Sequence, residues 1–180
     1  MATGVYRQNL IEAMNLLSAN EKVVFLGQSV AVEGTAMRGT LLDIPQQKLI
    51  ELPVEEDFQM GLANGLALGG LIPVSIFPRW NFLLLATNQL VNHLNNFSHL
   101  TRMQHPPKVI IRTGIGSVNP LHPGVQHVGD FTSAFQLLLP NIDVIRLDHA
   151  FQILPAYEKA LNRSDGRSTL LVEWSDKYFE

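Results

Sequence analysis

The chain has 180 residues, no cysteine, 46% hydrophobic residues, and 13 Lys and Arg against 16 Asp and Glu, a formal charge of −3. That length suits one domain over residues 1–180, able to bury roughly two thirds of its unfolded surface. The charge balance, without a long basic run, argues against an electrostatic grip on nucleic acid, and the lack of cysteine excludes disulfide scaffolds, thiolate metal sites and thiol nucleophiles.

Residues 5–18 place Leu10, Met14 and Leu17 at helical spacing, and VVFLG at 23–27 reads as a short buried strand ending in glycine. A loop with a helical turn (34–42) leads to a strand near 48–52, KLIEL, and then to a helix over 56–70 closed by paired glycines. IPVSIF (72–77) is a strand, and a long helix over 80–103 stops at Pro106-Pro107. KVIIR (108–112) is the next strand; a Gly-, Pro- and His-rich loop then runs to about Gly129. A helix near 130–138, a strand at 142–147, a helix at 149–162 and a strand at 168–174 complete the chain. Six short apolar strands alternating mostly with helices predict an α/β fold: a doubly wound, mainly parallel sheet with helices on both faces. Such sheets bind ligands beyond the carboxyl ends of their strands.

The first residues show no basic region followed by an apolar core and a small-residue cleavage site, so the expected location is cytoplasmic. From Trp80 to Thr101 there is no Asp, Glu, Lys or Arg, a length that could span a bilayer. Asn81, Asn88, Asn92, Asn95, Asn96, Gln89, His93 and His99 make a lipid-facing helix too costly, and no membrane partner is expected.

An uncharged helix of this length fits a desolvated interface between chains better than a water-facing surface. Only 16% of all residues are charged, against about 25% in ordinary soluble domains. Gly61, Gly65 and Gly69 form a stripe along the preceding helix, each costing about 1 kcal/mol relative to Ala. The stripe implies close approach either by the chain's own sheet or by a second subunit.

Glu55, Glu56 and Asp57 open that helix. Acids in a first turn offset the helix dipole, but this cluster also follows a strand directly, where parallel sheets place functional groups. The loop 113–130 carries His122 and His127 among four glycines and two prolines, and long loops in compact domains tend to be functional. His93, His99, His105 and His149 read as ordinary solvated side chains. GxGxxG, GxxxxGK[ST], HExxH and GxSxG are absent, and Gly129-Asp130 lacks the further glycine and downstream Asn of a diphosphate–magnesium site.

The runs LPVEEDFQMGLANGLALGGLIPVSIF, FPRWNFLLLATNQLVN, TRMQHPPKVIIRTG and GVQH, in this order, resemble the pyrimidine-binding domain of thiamine-diphosphate enzymes. The likeness is greatest to the β subunit of 2-oxo-acid dehydrogenases and extends to the central domain of transketolase; it covers about Val23 to Leu147. The resemblance implies a catalytic glutamate eight residues before Asn64-Gly65, which is Glu56. It implies an aromatic contact to the aminopyrimidine ring at Trp80, with Phe77 beside it, and a loop histidine near the substrate at His127. The cofactor would be thiamine diphosphate, with magnesium held by a partner chain.

A carboxyl hydrogen-bonded to the aminopyrimidine can share the proton that its tautomeric shift requires, most effectively when desolvation raises its pKa toward neutrality. Two departures stand out. Gln28 follows the first strand where the dehydrogenase subunits usually have an acid, and the family's C-terminal domain and diphosphate-binding domain are not found in these 180 residues. The expected partner is therefore a diphosphate-binding subunit, in a heterotetramer or an assembly containing a homodimer. The implied reaction is decarboxylation of a 2-oxo acid or transfer of a two-carbon unit. The alternatives are a split decarboxylase of the sulfopyruvate or phosphonopyruvate type and a non-catalytic partner-binding homologue.

Overall fold

Every strand pair is parallel in the computed structural model, which describes residues 4–101, 107–118 and 122–179. Strands β1 (Val23–Gly27), β2 (Leu49–Glu51), β3 (Ile72–Phe77), β4 (Ile110–Ile115), β5 (Asp143–Arg146) and β6 (Thr169–Trp174) make one sheet in the order β2-β1-β3-β4-β6-β5. The helices are α1 (Val5–Ser18), α2 (Glu56–Leu68), α3 (Trp80–Leu83), α4 (Phe97–Thr101), α5 (Thr132–Leu138) and α6 (Ala150–Asn162). Phe25, Val74, Ile76, Ile110 and Leu171 point to one face and pack with Leu10, Met14 and Leu17 of α1 and with Ile153 and Tyr157 of α6. Leu26, Phe77, Ile111, Leu170 and Val172 point to the other, against Met60 and Ala63 of α2, Trp80 and Leu83 of α3, and Phe135 of α5. Burial of both faces is why these strands read as continuous apolar runs.

Two elements differ from the sequence expectation. β4 begins at Ile110 and runs to Ile115, beyond the expected 108–112, because Thr113 and Gly114 continue the ladder to Val172 and Glu173 of β6. The expected helix over 80–103 is broken: α3 passes into a 3-10 turn (Leu84–Ala86), a π turn (Gln89–His93) and a second 3-10 turn (Leu94–Asn96) before α4. Side-chain amides enter its backbone ladder. Asn64 Nδ2 on α2 donates to the Gln89 carbonyl at 3.2 Å, and Asn96 Nδ2 to that of Val91 at 3.0 Å. Such insertion is a usual cause of local unwinding. Arg102, His105 and Pro106, with the expected helix stop, lie outside the described residues.

A buried ion pair crosses the α1/α6 face. Arg112 of β4 and Glu173 of β6 are both 0% exposed and pair through two bonds, Nε to Oε1 at 2.7 Å and Nη2 to Oε2 at 2.9 Å. The hydroxyls of Tyr157 and Tyr178 donate to the same carboxylate, and Arg112 Nη1 donates to Thr40 Oγ1 at 3.1 Å. Burial alone would lower the Arg112 pKa, but the Glu173 charge and hydrogen bonds hold it well above its ordinary value.

At the sheet edge, Asp143 accepts from Arg163 and Arg167. Burial on its own would raise the Asp143 pKa; hydrogen bonds and charge from the two guanidinium groups outweigh it and hold the pKa below the usual carboxylate value. A depressed folded-state pKa contributes stability that is complete above the unfolded value of about 3.9 and is lost as pH falls through the folded value. The stability gap between wild type and Asp143→Asn is therefore expected to narrow between about pH 5 and pH 2 in urea titrations. A gap independent of pH would show that these arginines do not stabilise the folded carboxylate.

Candidate active site

The chain leaves β1 toward β2 and leaves β3 toward β4, in opposite directions along the sheet, so a crevice opens at their carboxyl ends. A cavity of about 540 Å³ lies there, lined by Gln28 after β1, Arg79 and Phe82 after β3, Gly116 and Ser117 after β4, and Ser175 after β6. β1 closes on Gly27, whose φ is 153° and where a Cβ would come within 2.5 Å of the Ile76 carbonyl oxygen; only glycine lets the backbone pass so near β3. The next turn is fixed by an acid that sequence reading missed. Glu51, at the end of β2, accepts the backbone N–H groups of Ser29, Val30 and Ala31 at 2.6, 2.9 and 2.7 Å. Ser29 adopts the left-handed conformation (φ 52°), which turns these donors onto one carboxylate. The available signal was an acid inside the apolar run KLIEL.

Glu56, the first residue of α2, is 4% exposed, and its Oε1 accepts from Gln28 Nε2 at 3.1 Å. Its place is set one turn on, where Gln59 Nε2 donates to Ser75 Oγ at 3.1 Å and to the Ile76 carbonyl at 2.9 Å, pinning α2 to β3. Gln28 thus meets Glu56 as a neutral donor, not as a second acid. Among the described residues no donor engages Glu56 Oε2.

Arg79 precedes α3 in extended conformation, and its Nη1 donates to the carbonyls of Gly116, Ser117 and His127, the last two at 3.3 and 3.0 Å. Burial pulls the guanidinium pKa below its ordinary value, opposed by the charge of Asp176. One side chain therefore ties the loop after β4 to the turn Val125–His127. The His127 ring lies over Phe82, centroids 5.5 Å apart at 45°, and its buried Nδ1 has no hydrogen-bond partner among the described residues.

The structure brings Glu56, through Gln28, and His127, through Phe82 and Arg79, to one cavity. It places Trp80 and Phe77 elsewhere. Both are 0% exposed, and the Trp80 ring packs on Phe135 at 4.9 Å and Phe131 at 6.3 Å. Neither ring lines the cavity; both pack into the core on the α2/α5 face. The strand pleat turns Phe77 into the α2/α5 face, and the first turn of α3 carries Trp80 after it. Phe82, two residues on, is the half-buried ring that lines the cavity wall. His122 Nδ1 accepts from Gly124 N–H in a local turn at 3.0 Å; His93, His99 and His149 are exposed, the last stacked on Phe151.

Of the glycine stripe, a Cβ on Gly61 would meet the Gln89 side chain at 3.6 Å, while a Cβ on Gly65 would meet nothing within 4 Å. Gly65 and neighbouring Leu68, Leu85, Asn88 and Asn92 form an exposed, uncharged outer surface on α2 and the broken helix. Among the described residues no group of three or more His, Asp or Glu side chains could hold a metal ion, and no helix is long and apolar enough to cross a membrane.

Glu56, on the helix after the second strand, thus meets the switch-point cavity through Gln28, and Phe82 gives that cavity an aromatic wall. The transketolase pyrimidine-binding domain family matches residues 5–178, and the chain belongs to that family. The mitochondrial pyruvate dehydrogenase E1 component subunit beta of Chaetomium thermophilum is 32% identical over 154 residues, 80% of this chain and 39% of that protein. The 3-methyl-2-oxobutanoate dehydrogenase subunit beta of Mycobacterium tuberculosis is 28% identical over 144 residues, 73% of this chain and 41% of that protein. The chain spans about two fifths of the length of these relatives. Among solved structures, a split gene transketolase described as an inactive beta4 tetramer superposes with a TM-score of 0.68 at 19% identity, over 95% of this chain and 50% of that one. A putative thiamin diphosphate-dependent enzyme from Mycobacterium smegmatis superposes at 0.66 with 12% identity, over 95% of this chain and 31% of that one. At these identities the superpositions speak for the fold.

Proposed function

We propose that this chain supplies the aminopyrimidine-binding half of a thiamine-diphosphate active site, acting on a 2-oxo acid or transferring a two-carbon unit. The observation that carries this reading is Glu56: a carboxylate almost withdrawn from water, with one oxygen held by Gln28 and the other uncommitted. The residues present fit an aminopyrimidine. Glu56 Oε2 would hold or pass a proton at a ring nitrogen, and Phe82 would give the ring a flat apolar wall, worth about 0.5–1.5 kcal/mol beyond area burial. His127, with its Nδ1 unpartnered, would offer a proton donor or acceptor to the substrate. Thiamine diphosphate, when bound, supplies the carbon nucleophile, which is the cofactor's own chemistry.

Diphosphate and magnesium would be held by a separate subunit, and the split gene transketolase provides a precedent for dividing such an enzyme between chains. The uncharged outer surface around Gly65 and Leu85 is a fitting seat for a further chain.

Calorimetry tests the half-site arrangement. The chain alone is expected to bind thiamine diphosphate with magnesium weakly. Co-expressed with a chain carrying Gly-Asp-Gly and a downstream Asn, it is expected to bind tightly with defined stoichiometry. Tight stoichiometric binding by the chain alone, or none with the partner present, would overturn the proposal.

A further inference from the structure

We infer that Arg79 is the anchor for the substrate's carboxylate, making the cavity over β3 and β4 a binding site for the anionic end of a small 2-oxo acid. The choice of substrate rests on the thiamine-diphosphate reading; the presence of an oxyanion site does not.

A guanidinium offers five N–H donors in a fixed fork. Arg79 commits only Nη1, to the carbonyls of Gly116, Ser117 and His127. Among the described residues its Nε and Nη2 donate to no protein acceptor, and it makes no ion pair. Those two nitrogens present parallel N–H bonds along one edge, the geometry that accepts a planar carboxylate in bidentate fashion. The same protein displays that match elsewhere: Arg112 uses its Nε and Nη2 edge to hold Glu173 at 2.7 and 2.9 Å.

Charge points the same way. Among the described residues lining the cavity, Arg79 alone carries a charge, and none is Asp or Glu. Asp176, which acts on Arg79 electrostatically, accepts the Val118 N–H on Oδ1 at 2.9 Å, stands beside Gly116, and is not among the described residues lining the cavity. The three carbonyl contacts set the side chain in place before any ligand arrives, so little rotamer freedom remains to be lost on binding. Arg79 also stands beside the functional groups, since Phe82 lines the same wall and the His127 carbonyl is one of its acceptors.

The hydrogen bonds that set Arg79 in place lie within this chain, so the isolated 180-residue chain suffices for a test. The Nε–H resonance of Arg79 is followed by NMR in the 15N-labelled chain during titration with pyruvate, with methyl pyruvate (the same ketone with its carboxylate masked), and with inorganic phosphate. Pyruvate is expected to shift the resonance saturably and methyl pyruvate to leave it in place. Arg79→Lys, which keeps a cation but loses the fork, is expected to weaken pyruvate binding about tenfold while the backbone amide resonances of the sheet strands stay at their wild-type positions. Equal response to methyl pyruvate, response to phosphate alone, or pyruvate binding undiminished in Arg79→Lys would overturn the assignment. Glu56→Gln is expected to retain the pyruvate shift, so failure of the cofactor reading and failure of the carboxylate site give different results.

Discussion

Glu56→Gln, in the complex reconstituted with a diphosphate-binding chain, is expected to lose at least about 100-fold in turnover while still assembling. The size follows from what a positioned acid or base contributes, typically 10²–10⁴-fold. The amide is nearly isosteric and can still accept from Gln28 through its carbonyl oxygen, so the Gln28 contact and the docking of α2 on β3 through Gln59 remain. What disappears is the capacity of that position to share a proton. Steady-state rates with 2-oxo acids, alongside size-exclusion chromatography, make the measurement. Unchanged turnover would remove Glu56 from the chemistry, and activity lost only with the assembly would favour the partner-binding reading.

Glu173→Ala is expected to produce the largest loss of stability. The substitution leaves the Arg112 guanidinium at 0% exposure without its counter-charge and deprives the Tyr157 and Tyr178 hydroxyls of their acceptor. Removing one partner of a buried ion pair costs about 3–5 kcal/mol, against a total stability of about 5–15 kcal/mol for ordinary domains. Urea unfolding of the variant is thus expected to show its midpoint lowered by about a fifth or more. The double variant Arg112→Met with Glu173→Leu is expected to recover much of that loss, because no unpaired charge stays inside. A single-variant cost below about 1 kcal/mol would mean that water reaches the pair.

The strands were legible because a parallel sheet buried on both faces demands unbroken apolar runs, and VVFLG, IPVSIF and STLLVEW supply them. The ends of β4 were not, since Thr113 and Gly114 belong to the ladder only through their pairing with β6. The charge-free stretch after Arg79 showed its helical period but not its π turn, which involves an amide from α2, a contact absent from local sequence. The acidic cluster holding Glu56 could be found from its place after a strand, and the family resemblance singled out Glu56 within it. The family resemblance pointed to Trp80; the first turn of α3 buries Trp80 and leaves Phe82 at the cavity wall, a difference that no local pattern announces. Arg79 left one trace, a lone cation directly after a strand. Arg112 and Glu173 read as unremarkable charges at strand ends until the register of β4 against β6 set them on the same face.

The grip of Glu51 on three consecutive amides joins the sheet's outermost ribbon to the lip of the chamber above β1 and β3. β2 is only three residues long and borders a single neighbour, so it is the margin most prone to fray. Because its terminal carboxylate also staples the bend that presents Gln28, rim and chamber loosen together: whatever steadies that outer border steadies the amide facing Glu56.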